Sequence, residues 1–181
     1  MHDKWIYEYD KGEKDEKAAP RFVLGIKGNN PLVCMGINPS TALPCSLDVT
    51  LTKVAHYAMK TGKGYDSWIM LNLYPQRATD FSNVDHAPNE TLHQLNLKHI
   101  CSILSQPNVS DIWAAWGNDI SKREFLLNCL EDIVPIASKY NCSWKNAGSL
   151  TSKGHPRHPS RMAYSWGLQT FDIRRYLAGK V

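Results

Sequence analysis

The 181-residue chain predicts an α/β fold: a three-layer α/β/α sandwich with a central, mainly parallel four-stranded sheet, plus N-terminal edge strands. Three observations lead there. Short apolar runs (Leu32 to Ile37, Trp68 to Leu73, Ile112 to Trp116) have strand length and run into Gly, Asn or Pro. Longer segments with apolar residues at helical spacing lie between them. No internal repeat, low-complexity tract or linker breaks this alternation, so a single domain over residues 1–181 is expected.

Trp5 to Tyr9 alternates aromatic and polar residues, and Arg21 to Ile26 is a second extended segment. Both read as edge strands or a hairpin, with the charged turn Asp10 to Lys17 between them. Leu32 to Ile37 is the first central strand. Leu47 to Lys60 reads as a helix with Leu47, Leu51, Val54, Ala55 and Ala58 on one face, Ser46 as its cap, and Gly62 and Gly64 as its stop. Trp68 to Leu73 is the second central strand, followed by a polar loop over residues 76–88. Asn89 or Thr91 opens a helix to about Leu104, and Ile112 to Trp116 is the third strand. Ser121 caps a helix to about Ile136, Ser143 to Leu150 is a weaker fourth strand, and a short helix covers Phe171 to Ala178.

Composition narrows the function classes. A hydrophobic share of 43% can fill a core at this length. No apolar run reaches the roughly 20 residues that span a bilayer. Met1 to Pro20 is charged and lacks a signal-peptide core. The cysteines at 34, 45, 101, 129 and 142 are odd in number and form no C-x-x-C pair, which favours reduced thiols. A cytoplasmic monomer with no membrane partner, cofactor or metal is the expectation. Basic residues gather late in the chain (Lys145, Lys153, Arg157, Arg161, Arg174, Arg175, Lys180), where Asp172 is the only acid after Asp132. That asymmetry suits a phosphate-bearing partner, and a merely solvated basic face is the alternative.

The predicted topology places four loops on one edge of the sheet: Gly36-Ile37-Asn38-Pro39-Ser40, the segment from Asn72 to Thr79, Trp116-Gly117-Asn118, and the segment from His155 to Arg161. In open α/β sheets ligands bind at that edge. Each loop has a plain structural reading: Asn38 or Ser40 capping a helix, Arg77 and Thr79 solvated, Trp116 packed with Gly117 permitting a tight turn. Convergence of all four favours a site.

Gly-x-Asn-Pro-Ser, Asn-Leu-x-Pro-x-Arg-Ala-Thr, Trp-Gly and His-Pro-x-His-Pro together resemble the DUF1643 family over about Arg21 to Met162. More distantly, their order is similar to the uracil-DNA glycosylase superfamily. Gly-Ile-Asn-Pro and the later Arg-x-Thr are closest to its mismatch-specific uracil and thymine branch, whereas His158-Pro159-Ser160 resembles the uracil-specific branch. That resemblance implies a uracil-DNA glycosylase-like fold and a monofunctional DNA glycosylase acting on a flipped pyrimidine. Because the motifs mix two branches, a modified base of phage DNA is a candidate substrate, with a role in phage defence.

The resemblance implies roles that the residue types can be tested against. Asn38 would hold a water beneath the sugar, but an amide is no general base. Asp48 is the nearest carboxylate in sequence, either a base or a favourable charge at a helix start. His158 would donate to a base carbonyl. Asn72 would pair with the base edge, Tyr74 would stack on the base, and Ser40 would help bind it. Met162 and Tyr164 are wedge candidates for the vacated stack, with packing beneath the loop as the rival reading. Arg77, Thr79, Arg157, Ser160, Arg161 and Lys153 would contact the strand.

Two rival functions use the same pocket: a module that binds nucleic acid or nucleotides without cutting, and a hydrolase of free nucleosides or nucleotides. A metal site from His155, His158, His86 and Asp48 is disfavoured, because Pro156 and Pro159 break any helical ligand pair. Ser40 lacks a nucleophile elbow, and no P-loop is present.

Overall fold

A computed structural model describes residues 4–179; Lys180, counted above among the late basic residues, and the ends of the 1–181 span lie outside them. The strands are β1 (Trp5–Tyr9), β2 (Arg21–Ile26), β3 (Pro31–Gly36), β4 (Ser67–Asn72), β5 (Asp111–Ala114), β6 (Ser143–Ala147) and β7 (Leu168–Thr170). The α-helices are α1 (Val49–Lys60), α2 (Glu90–Leu104), α3 (Phe125–Lys139) and α4 (Ile173–Leu177). Three short 3-10 turns, at Phe81–Asn83, Gly117–Lys122 and Pro159–Arg161, sit in the loops.

The sheet has seven strands in the order β1-β2-β4-β3-β5-β6-β7, and its centre, β4-β3-β5-β6, is parallel. The expected four-stranded parallel sheet is thus the middle of a larger mixed one. The N-terminal hairpin is continuous with it, because β2 runs antiparallel to β4 with Leu24 opposite Met70. β7 extends the other edge antiparallel to β6. Its sequence, Leu-Gln-Thr, is too short and too polar to announce a strand.

β3 and β4 are buried along their whole length, as continuous apolar runs require. On one face Leu51, Val54, Tyr57 and Ala58 of α1 pack against Leu32, Cys34, Trp68, Met70 and Trp113. On the other, α2 and α3 cover Val33, Met35, Ile69, Leu71 and Ile112. The chain leaves β3 toward β4 on one side and reaches β5 on the other. The carboxyl ends of β3 and β5 are therefore the topological switch point, where such sheets open a crevice.

Three helix starts differ from the sequence expectation, α4 beginning at Ile173 instead of Phe171. α1 begins two residues later, capped by Asp48, whose Oδ1 accepts from the Leu51 N–H at 2.8 Å; Ser46 instead pairs with Leu43 in a tight turn. Ser121 belongs to the 3-10 turn, so α3 starts at Phe125 and runs past Pro135 to Lys139. Asn89 caps α2 as expected, accepting from Leu92 N–H. Among the described residues no helix is long and apolar enough to cross a membrane.

Candidate functional site

The four loops meet at the switch point, held in pairs by backbone hydrogen bonds. Leu73 N–H donates to Gly36 O, Tyr74 N–H to Ile37 O and Ala78 N–H to Pro39 O, each at 2.9 Å, so the loops after β3 and β4 move as one piece. Gly117 N–H donates to Pro156 O at 3.0 Å, joining the loop after β5 to the His-Pro segment. Gly117 has φ +68°, and a Cβ there would come within 3.1 Å of the His158 Cβ. Glycine is needed at this position both for the left-handed backbone and for the close approach of His158.

Between these loops lies a cavity of about 420 Å³, the size of a small-molecule site. Asn38, Ser40, Asp48, Thr79 and His158 all line it. Residues that sequence reasoning passed over also line it: Arg21, Thr41, Thr50, Phe81 and Asp119. Asp119 was hidden because it follows Trp-Gly-Asn and reads as turn. A second, polar groove of about 680 Å³ shares Trp116, Asp119 and His158 with the cavity and continues to Arg157, Ser160 and Arg161.

The side chains in the cavity have defined states. The Asn38 Nδ2 donates to Ala78 O at 2.8 Å and Pro39 O at 3.1 Å, which turns its oxygen into the free acceptor. Ser40 Oγ and Thr79 Oγ1 share a 3.2 Å hydrogen bond. His158 Nδ1 lies 2.8 Å from Ser160 Oγ and accepts the Ser160 N–H at 3.3 Å. The neutral ring therefore carries its proton on Nε2, a donor with no partner among the described residues. Burial holds the His158 pKa below its ordinary value; Asp119 and Asp48 oppose that shift and Arg161 adds to it. The ring is neutral at neutral pH.

Asn72 does not line the cavity directly. It is 1% exposed at the end of β4, behind Gly36, and among the described residues neither its Nδ2 nor its Oδ1 has a partner. A buried amide with no hydrogen bond costs on the order of 1–3 kcal/mol, so this orphan calls for a ligand or a water. Asn96 of α2 fixes the backbone there, donating to Asn72 O and Leu73 O.

Other expected site residues are placed elsewhere. Tyr74 is fully buried; its hydroxyl donates to Asp85 and accepts from Asn89 N–H, and its ring meets Phe125 edge-on. Such a ring has no face left for a base, whereas Phe81 lines the cavity. Arg77 is spent inside the protein: Nε donates to Ala19 O, Nη1 to Ser40 O and Ala42 O, and Nη2 to the Tyr7 hydroxyl. It fastens the loop instead of projecting from it. Met162 is 5% exposed in the α1-side core, where it has no reach to a base stack. Tyr164, 36% exposed, lies against His56 with ring centroids 4.3 Å apart. Arg157 donates to Ser149 O and Leu150 O and covers Trp166, while Arg161 is exposed with no partner among the described residues. Lys153 lies beside a separate hollow near His155.

His155 uses both ring nitrogens, toward Ser121 Oγ at 2.8 Å and the Tyr176 hydroxyl at 2.7 Å. Tyr176 also receives the Trp116 indole N–H, so this histidine braces the cavity wall. Among the described residues no three His, Cys, Asp or Glu side chains gather as a metal site.

Comparison with known families finds a match to the family described as Protein of unknown function (DUF1643), over residues 21–160. No curated protein and no solved structure matches significantly.

Proposed function

The chain belongs to the DUF1643 family, whose description assigns no chemistry, and from the cavity itself we propose that it is a monofunctional DNA glycosylase. It hydrolyses the N-glycosidic bond of a pyrimidine turned out of the duplex and leaves an abasic site. The observation that carries this reading is a pair of unsatisfied groups, the orphaned Asn72 amide behind Gly36 of the cavity wall and the neutral His158, whose Nε2–H has no partner among the described residues. One offers a donor and an acceptor to a base edge, and the other a donor to a carbonyl.

As the bond breaks, the base gains negative charge and the sugar gains positive charge, so prearranged groups of opposite sign lower the barrier. His158 donates to the leaving base, and Asn38 Oδ1 accepts from the attacking water. Asp48 keeps one carboxylate oxygen outside its capping bond for the sugar side, and Asp119 adds a second carboxylate, tied to Lys122 at 2.7 Å. The hydroxyl-bearing residues Ser40, Thr41, Thr50 and Thr79 give the cavity room and partners for a polar substituent. A modified pyrimidine, such as a hydroxymethylated or glucosylated base of phage DNA, is therefore the substrate class, and defence in the cytoplasm the role. Arg161 and Ser160 in the adjoining groove hold flanking phosphates.

The test uses duplexes carrying one uracil, one mismatched thymine or one 5-substituted cytosine, followed by alkali. Strand scission on one of them, lost in Asn72→Ala, is expected; none on any substrate refutes the proposal. One observation favours a second reading, a non-catalytic reader of the same base: Asn38 Nδ2 and Asp48 Oδ1 are committed to holding the loops. That reader shows affinity without turnover.

A further inference from the structure

The β2 end of the cavity carries a charge with no ion-pair partner among the described residues. Arg21 opens β2, is 2% exposed, and lines the cavity. Its Nη1 donates to Ala42 O at 2.9 Å, its Nε has no partner, and it forms no ion pair among the described residues. Arg77 shares the same Ala42 carbonyl at 3.2 Å and is satisfied only by neutral oxygens. Two guanidinium groups thus sit side by side without a paired carboxylate. Burial, and then the Arg77 charge, pull the Arg21 pKa down to about 10, while Asp48 is close enough only to soften the effect. An unpaired buried cation is expensive unless an anion completes it.

Neighbouring groups point the same way. Ser40 Oγ and Thr79 Oγ1 form a hydroxyl pair in the cavity. The first turn of the 12-residue α1 also lines it; Asp48 takes the Leu51 N–H, leaving those of Val49 and Thr50 without a hydrogen-bond partner among the described residues. A guanidinium, two hydroxyls and a helix N-terminus supply donors from several directions, which suits a tetrahedral oxyanion.

We propose that this end of the cavity is a phosphate subsite, with Arg21 as its anchoring cation and Ser40 and Thr79 as its hydroxyl donors. The phosphate comes from a free nucleotide or from a nucleic-acid strand. The subsite goes beyond bond cleavage and stands whether or not the protein cuts a base.

Calorimetric titration of the full chain with thymidine 5′-monophosphate, thymidine and inorganic phosphate tests it without turnover. The monophosphate is expected to bind about tenfold or more tightly than the nucleoside, with inorganic phosphate competing. Arg21→Gln abolishes that preference. If Arg21→Gln does not fold by circular dichroism, the Ser40→Ala/Thr79→Val pair replaces it and weakens the preference several-fold. Equal binding of nucleotide and nucleoside, binding of neither, or an unchanged preference in a folded variant overturns the proposal. A thymidine dinucleotide with one internal diester separates the sources: competition by the diester assigns the site to a strand phosphate, and competition by the monoester alone to a free nucleotide. Absence of scission on every duplex, with the phosphate preference retained, would sink only the glycosylase reading.

Discussion

Gly36 and Asn72 stand opposite each other in the β3–β4 register, and a Cβ on Gly36 would lie 3.0 Å from the Asn72 Oδ1 and 2.5 Å from the Met70 Cε. The glycine keeps open the space into which the unpartnered amide faces. Gly36→Ala should push Met70 or Asn72 aside, lowering stability by about 1–3 kcal/mol and abolishing base binding. Chemical denaturation and ligand titration check both effects, and a variant with intact binding contradicts the arrangement.

Asn72 should show opposite signs in stability and function. Asn72→Leu replaces an unsatisfied buried amide by an apolar side chain of similar size, so stability is expected to hold or rise by about 1 kcal/mol. Binding or cleavage should be lost in the same variant. A destabilised Asn72→Leu would mean that the amide is satisfied in the free protein.

Met162 and Tyr164 lie two residues apart and should behave differently. Met162→Ala empties buried volume and is expected to cost about 2–4 kcal/mol. Tyr164→Ala should leave the urea midpoint nearly unchanged and weaken DNA binding. Equal thermal shifts in the two variants would remove the distinction.

The arginines of the groove make a salt-dependence prediction. Arg161→Ala should lower the slope of log affinity against log salt by about 1, as one lost phosphate contact does. Arg157→Ala should change the slope less and the stability more, since its guanidinium already holds the Ser149–Leu150 turn. An unchanged slope in Arg161→Ala places the strand elsewhere.

Burial depresses the pKa of His99, His155 and His158 relative to the ordinary 6.5 that each regains on unfolding. Above that value both states are neutral and the stability is fully present. As pH falls through 6.5 toward the lower folded values, the unfolded chain takes up protons first and stability is lost. The urea midpoint should therefore drop as the pH falls below about 6.5, with a shallower drop in His99→Gln. A pH-independent midpoint across that window would contradict the assignment.

The central strands and the three long helices were legible because burial on both faces writes continuous apolar runs, and burial on one face writes helical spacing. Strand order and the joining of β2 to β4 were not, since pairing is a property of partners and not of one segment. The cavity's Asn38, Ser40, Asp48, Thr79 and His158 followed from loop position. Arg77 and Arg161 look alike in sequence, and only the four acceptors around Arg77 separate the fastener from the exposed cation. Arg21 escaped notice because the first residue of an edge strand is ordinarily a solvated place for a charge.

The Arg77 clamp reaches from Tyr7 in β1 and Ala19 before β2 to Ser40 and Ala42 at the cavity rim. The hairpin is consequently part of the mould that shapes the pocket. A mutational screen scored on function would flag Tyr7 and Ala19 as sensitive positions although neither lines the cavity, and trimming the hairpin to reach a minimal domain would deform the pocket it was meant to isolate.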